Sequence, residues 1–359
     1  MLCYNITKND HAFLIMHSFD RRAKPCGSIS HQRFHVNTMF KQLFISGVIG
    51  IALTGAASAA PLNVVTSFSI LDDFARQVGG DRITVQSIVP VNGDVHAYEP
   101  KPADVIAFKR ADLVLANGLQ FDTFMQRLAK SSETKAPLVE VTQGIEPLKN
   151  TEDEHGHGQE VAHDGHDHDD DHGHDHGDEH HHGEYDPHAW QSVPNAMIYV
   201  KNIADALCKV DSAGCQAYKA NASAYTQKLQ ALHESVKAAF AALPKDKRTL
   251  ITSHDAFGYL GAAYGLTLLA PEGTSSATEA TAADVAAIIR QIREDKGSAV
   301  FMENISNPAL IKQIASEGNV VVGGKLYSDA LSGPDEPAST YLKMMQYNTD
   351  TITKAILKK

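Results

Sequence analysis

From Leu62 onward, short apolar and β-branched runs alternate with stretches whose apolar residues recur at helical spacing. Strands are predicted at Leu62–Phe68, Ile83–Pro90, Ala111–Gly118 and Leu138–Thr142, with amphipathic helices at Leu71–Val78, Ala103–Lys109 and Phe121–Ala129 between them. The pattern returns near the C-terminus. Strands are predicted there at Thr249–Ser253, Leu266–Ala270, Ala299–Glu303 and Val320–Tyr327. Helices are predicted at Ala256–Tyr264, Ala282–Arg293 and Pro308–Ser316, the last with Asn307 as cap and Pro308 in its first turn. Alternation of this kind predicts an α/β fold with parallel sheets, and two such blocks predict two lobes. Between them, Tyr218, Ala222, Tyr225, Leu229, Leu232, Val236, Ala239 and Leu243 advance in steps of four and three. That single stripe, closed by Pro244, predicts one long rigid helix of about 40 Å joining the lobes.

The segment 151–186 breaks the pattern. It holds eleven histidines and fourteen acidic residues with no lysine or arginine, and too few apolar side chains to bury a core. A disordered loop is expected there. The organisation that follows is a first lobe over 60–150 and 187–210, the loop over 151–186, the linker helix over 211–243 and a second lobe over 244–359.

Upstream, residues 39–59 read as an export signal. Lys41 supplies the charge, Leu43 to Leu53 an apolar run too short to span a bilayer, and Ala57-Ser58-Ala59 a small-residue cleavage site. Cleavage after Ala59 is expected, giving an exported, soluble periplasmic protein. No cysteine stands at that cut to carry a lipid anchor. Residues 1–38, which include Cys3, Cys26, His11, His17, His31 and His35, are polar and unpatterned, so Met39 is the expected start of translation. Residues 60–359 carry 26 basic and 41 acidic side chains, a formal net charge of −15. Such a balance argues against nucleic acid or an anionic membrane as partner. Two cysteines remain in that span. In an oxidising compartment, Cys208 and Cys215 are expected to form a disulfide across a short turn; their spacing is not that of a Cys-x-x-Cys metal site.

Imidazoles and carboxylates at the density of the loop bind borderline divalent metals weakly and in many arrangements. Its candidates are His155, His157, His163, His166, His168, His172, His174, His176, His180, His181 and His182. Four histidines of residues 60–359 lie outside it: His96, His188, His233 and His254. His96 follows the second predicted strand and His254 the fifth, while Asp329 follows the last. All three therefore sit beyond carboxyl ends of strands, where open α/β sheets bind ligands. His188 lies in a rigid Asp-Pro-His-Ala-Trp turn at the end of the loop. His233, one place past Leu232 on the long helix, is expected to face solvent.

The strings GDVHAYEPKPADV, DPHAW, TSHDAFGYLGAAYG and LYSDALS occur in this order between Pro61 and Lys359. Together they resemble the cluster A-I periplasmic metal-binding proteins, the substrate-binding components of ABC transporters for zinc or manganese. The resemblance implies two α/β lobes with a metal between them, bound by His96 and His188 from the first lobe and His254 and Asp329 from the second. It also implies delivery to an ABC-type permease of the inner membrane, with lobe movement releasing the metal. A histidine-rich insertion before the second ligand resembles the zinc-binding members in particular. Manganese members resemble one another in a glutamate at the third position, where His254 stands here. Some zinc relatives have a glutamate just before the first histidine; here it is Val95, so any role of that neighbour is lost.

Three imidazoles and one carboxylate suit Zn²⁺, although copper and nickel also favour such ligands. A zinc hydrolase is the competing class. It requires an open position for water and a general base, yet the chain has no His-Glu-x-x-His helix, and Asp329 as fourth ligand would close the site. A periplasmic zinc buffer needs the same site as a transport protein. A monomer is expected, with the permease and a periplasmic zinc metallochaperone as candidate partners.

Overall fold

The computed structural model describes residues 60–150, 183–294 and 299–358. Residues 1–59, with the expected export signal, and 151–182, with all eleven loop histidines, lie outside the described residues.

The first lobe is built on β1 (Leu62–Thr66), β2 (Ile83–Ser87), β3 (Leu113–Ala116) and β4 (Leu138–Glu140), in sheet order β2-β1-β3-β4. The second uses β5 (Thr249–Ile251), β6 (Thr267–Leu269), β7 (Ala299–Glu303) and β8 (Val322–Leu326), in the matching order β6-β5-β7-β8. Every pairing within the two sheets is parallel. Parallel strands need crossovers, and these are α1 (Ser69–Gly79), α2 (Pro102–Arg110), α3 (Phe124–Ser132), α6 (Gly258–Tyr264), α7 (Ala282–Glu294) and α8 (Pro308–Gly318). The inner strands are covered on both faces, so β3, Leu-Val-Leu-Ala, is buried at every position. Asn307 caps α8 as its sequence predicts, its side chain accepting the Ala309 N–H at 3.0 Å.

The long helix is α5 (Cys215–Ala241), which packs against α4 (Val193–Val210), α1, α6 and α9 (Tyr341–Leu357). Its stripe differs from the sequence reading at one end. Phe240 takes the core position expected of Ala239, and Leu243 is buried beyond the end of the helix. The cause is the helical period: at 3.6 residues per turn, steps of four and three drift along the helix until Ala239 reaches the edge of the stripe, and the larger apolar neighbour fills the core. His233 does not face open solvent. Its Nδ1 lies 3.1 Å from the Tyr264 hydroxyl of α6, which draws it partly under cover. Within the segment expected to be a loop, Gly183–Asp186 is held by backbone hydrogen bonds. Asn150 N–H donates to Glu184 O, and Asp186 N–H donates to Leu148 O, each at 2.9 Å.

Two helices escaped the sequence reading, α4 and α9. The second matters for the site, since it crosses between lobes. The Tyr341 N–H donates to Asp73 of α1, and the Tyr341 hydroxyl donates to Trp190 O. Asn348 of α9 then clamps both backbone groups of Tyr327, at 3.0 and 2.7 Å. Beside it, β8 carries a register shift opposite Val300/Phe301. A Cβ at Gly323 would lie 2.6 Å from Ala355 of α9, and Gly324 has φ +151°, so both positions require glycine. The irregularity aims the chain after Leu326 at the cleft.

Cys208 and Cys215 are disulfide-bonded and tie α4 to α5. Closing so short a loop restricts the unfolded chain by at most about 2.5 kcal/mol. Replacing both cysteines by serine is therefore expected to lower the unfolding free energy of the metal-free protein by that order, read as a lower urea midpoint. An unchanged midpoint would show that the staple adds nothing. No helix of the described residues is long and apolar enough to cross a membrane.

Candidate metal centre

His254 follows β5, the inner strand of the second sheet where crossovers diverge to either side. Asp329 follows β8, held by the Asn348 clamp and by Ser328, whose carbonyl accepts Trp190 Nε1–H and Gln191 Nε2–H at 3.0 and 2.7 Å. From the first lobe, His96 follows β2 and His188 ends the ordered return after Gly183. The structure brings these four side chains together, one ligand atom of each within 4.8 Å of all the others. Asp329 Oδ2 lies 3.2 Å from His96 Nε2 and 3.1 Å from His254 Nε2. His188 Nε2 stands 3.4 Å from His96 Nε2 and 3.7 Å from Asp329 Oδ1. The edges of a tetrahedron around zinc, at bonds of about 2.0–2.1 Å, are about 3.3 Å. Asp329 Oδ1 is buried and has no hydrogen-bond partner among the described residues, an acceptor suited to a cation. His233 is elsewhere, on α5, and Val95 is buried without a ligand atom.

Two carboxylates that the sequence reading did not assign stand behind the imidazoles. Asp186 Oδ1 is 2.8 Å from His188 Nδ1, and Glu303 Oε2 is 2.8 Å from His254 Nδ1. Asp186 holds the proton on His188 Nδ1 and leaves Nε2 free to ligate, Glu303 faces the His254 ring as an ion-pair partner, and both raise the basicity of the ring they face. Glu303 is itself held by the Ser253 and His254 backbone N–H groups on Oε1, at 2.8 and 3.1 Å. The available clues were the Asp two places before His188 and an acidic residue ending an otherwise apolar β7; neither reveals which ring it faces.

The four candidate ligands are almost dry, His188, His254 and Asp329 being fully buried and only His96 touching solvent. Phe121 supplies an apolar wall, its ring centroid 5.0 Å from that of His96 and 4.8 Å from that of Trp190. The loop that places it has positive φ at Gly118, Leu119 and Gln120. Asp122 compensates by accepting the Asn117 and Gly118 N–H groups, and burial pushes its carboxyl up to about 6. His96 opens onto a cavity of about 540 Å³ whose walls include Phe121, Tyr185, Thr274, Ser275 and Thr278.

Electrostatics separate the ligands. Burial draws the His96 imidazole below its ordinary value against the opposing pull of Asp329. Burial acts the same way on His188, but the charge of Asp329 and the bond to Asp186 prevail and push it up to about 9. His254 lies well above its ordinary value, since Glu303 and Asp329 outweigh its burial. Asp329 is held far below the carboxylate range by His188 and His254 despite burial. Nearby, burial pushes Glu272 up to about 7, with Glu303 and Asp94 adding to it and His254 opposing. The centre is thus strongly negative once its histidines lose their protons.

A family profile described as "ZnuA: Zinc-uptake complex component A periplasmic" matches residues 64–355. The manganese-binding lipoprotein MntA of Halalkalibacterium halodurans is 32% identical over 295 residues, covering 82% of this chain and 88% of its own. The iron-binding protein YfeA of Yersinia pestis is 32% identical over 297 residues, 83% of this chain and 87% of its own. Among solved structures, the periplasmic zinc-binding protein TroA of Treponema pallidum superposes with a TM-score of 0.70 at 27% identity, covering 83% of this chain and 99% of that one. A manganese-bound periplasmic metal-binding protein from Candidatus Liberibacter asiaticus gives a TM-score of 0.68 at 29% identity, covering 82% and 98%. Two parallel sheets of like topology, four converging histidine and aspartate side chains and a profile spanning both lobes lead to one conclusion: the chain belongs to the ZnuA family of periplasmic metal-binding components of uptake complexes.

Proposed function

We propose that this protein captures Zn²⁺ between its lobes and delivers it to an ABC-type zinc permease of the inner membrane. The observation that carries the reading is the ligand set, three imidazoles and one carboxylate around a buried point. Nitrogen-rich sites of four ligands favour zinc over the harder manganese ion. His254, backed by Glu303, stands where the resemblance gives manganese members a glutamate, and the matching family is described by zinc uptake. Asp329 fills the fourth ligand position, which favours a carrier over a zinc hydrolase. The protein is read as a monomer, exported with cleavage near Ala59 and loaded directly or by a periplasmic metallochaperone.

Manganese is the second reading, supported by the name of the relative MntA. Metal content by mass spectrometry, followed by competition between Zn²⁺ and Mn²⁺ for residues 60–359, separates the two. One zinc that manganese in large excess does not displace supports the proposal; preferential retention of manganese rejects it.

In this reading the histidines between His155 and His182 hold zinc weakly near the cleft. Asn150 and Gly183, which bracket that segment, are hydrogen-bonded to each other, and Asn150 also meets Thr274 at the cavity wall. Deleting residues 155–182 is expected to slow zinc capture from dilute solution and leave the tight affinity nearly unchanged. Loss of the tight site on deletion would give the segment a structural role instead.

A further inference from the structure

His96 and His188, the two ligands of the first lobe, share a local device. Each follows an aspartate by two residues, in Asp94-Val95-His96 and Asp186-Pro187-His188. In both, the aspartate Oδ1 accepts the backbone N–H of the histidine at 2.9 Å, an Asx turn that sets where the ring emerges. The second lobe grips both turns. Tyr259 of α6 donates its hydroxyl to Asp186 O at 3.0 Å while accepting the Leu148 N–H. Ser276, in the loop between β6 and α7, donates its hydroxyl to Asp94 Oδ2 at 2.7 Å. The two grips differ in kind. Tyr259 bonds main chain that is further fixed by the Leu148–Asp186 ladder, whereas Ser276 bonds the carboxylate that forms the turn before His96.

We propose that Ser276 is a positioning residue for His96, making that ligand's placement conditional on closure of the second lobe over the first. The inference rests on the zinc reading above and adds to it the residue that links closure to ligand geometry. Closed, one carboxylate holds the His96 N–H with one oxygen and Ser276 with the other. When Ser276 withdraws, Asp94 is free to turn, and the Asx turn loosens at the one ligand that borders the open cavity. His96 then becomes the first ligand to let go. His188, His254 and Asp329 keep their own supports in Asp186, Glu303 and the Asn348 clamp.

The test is zinc dissociation from residues 60–359 into excess chelator, followed by stopped flow. Ser276→Ala leaves all four ligands in place, and losing a hydrogen bond to a charged group is expected to speed release about tenfold. Ser276→Thr, which keeps the hydroxyl, is expected to restore the slow rate. Ser276→Ala is expected to add nothing to Asp94→Ala, because it acts through that carboxylate. The melting temperature of the metal-free protein should stay at the wild-type value. Unchanged release in Ser276→Ala, additive effects with Asp94→Ala, or an equal loss of metal-free stability would each overturn the proposal. His254→Ala distinguishes the underlying reading. If wild type and His254→Ala release zinc at the same rate, the four-ligand site itself is wrong; if they differ while Ser276→Ala matches wild type, only the present inference fails.

Discussion

Replacing His254 by alanine is expected to weaken zinc binding by on the order of 100- to 1,000-fold. Complete four-ligand zinc sites are worth about 10–16 kcal/mol, so one ligand of four carries about 3 kcal/mol. The loss has a second component, because Glu303 is fully buried against the His254 ring, which holds its carboxyl below its ordinary value against that burial, and loses this partner when the ring is removed. A buried carboxylate without its partner destabilises the fold by about 3–5 kcal/mol. Calorimetric titration with zinc measures the first effect, and thermal unfolding of the metal-free variant measures the second. His254→Gln, which keeps most of the volume, serves if the alanine variant does not fold. Zinc bound as tightly in both variants as in wild type would move the primary site away from His96, His188, His254 and Asp329.

Acidification is the other large lever. At pH 7 the metal-free protein holds a proton on His188, whose imidazole is pushed up to about 9, and on His254, which is also raised well above its ordinary value. Zinc requires both rings neutral, so loading expels about two protons and apparent affinity falls about 100-fold for each pH unit of acidification. Between pH 7 and pH 5 the expected loss is on the order of 10,000-fold. Titrations in buffers of different ionisation enthalpy count the released protons directly. No proton release, together with zinc retained at pH 5, would exclude this site.

The same shifts affect folding in the opposite sense. A histidine raised in the folded state contributes stability that is fully present below its unfolded value near 6.5 and is lost as pH rises through about 9. The metal-free protein is therefore expected to lose stability across that window while zinc binding strengthens. The gap in melting temperature between loaded and metal-free protein should widen from pH 6 to pH 9.

The sequence by itself determined the α/β class, all eight strands, six crossover helices and the long helix, because period-two and period-3.6 patterns mark elements locally. Strand ends pointed to His96, His254 and Asp329, while His188 and the set of four came from the resemblance of four ordered motifs to the cluster A-I proteins. The cysteine pair was legible because it too is local, seven residues apart across one turn. The tertiary structure alone decided what each ligand leans on. Glu303 lies 49 residues from His254, and Asn348 lies 21 residues from the Tyr327 it clamps, so no spacing could pair them. It decided that Phe240 and not Ala239 enters the core, because a shift of one position along a helix is resolved only by the neighbour it packs against. It brought Ser276 onto Asp94, across 182 residues and two lobes. A parallel sheet fixes where strand ends lie, but the contacts between two separately built lobes arise only when both are folded and closed together.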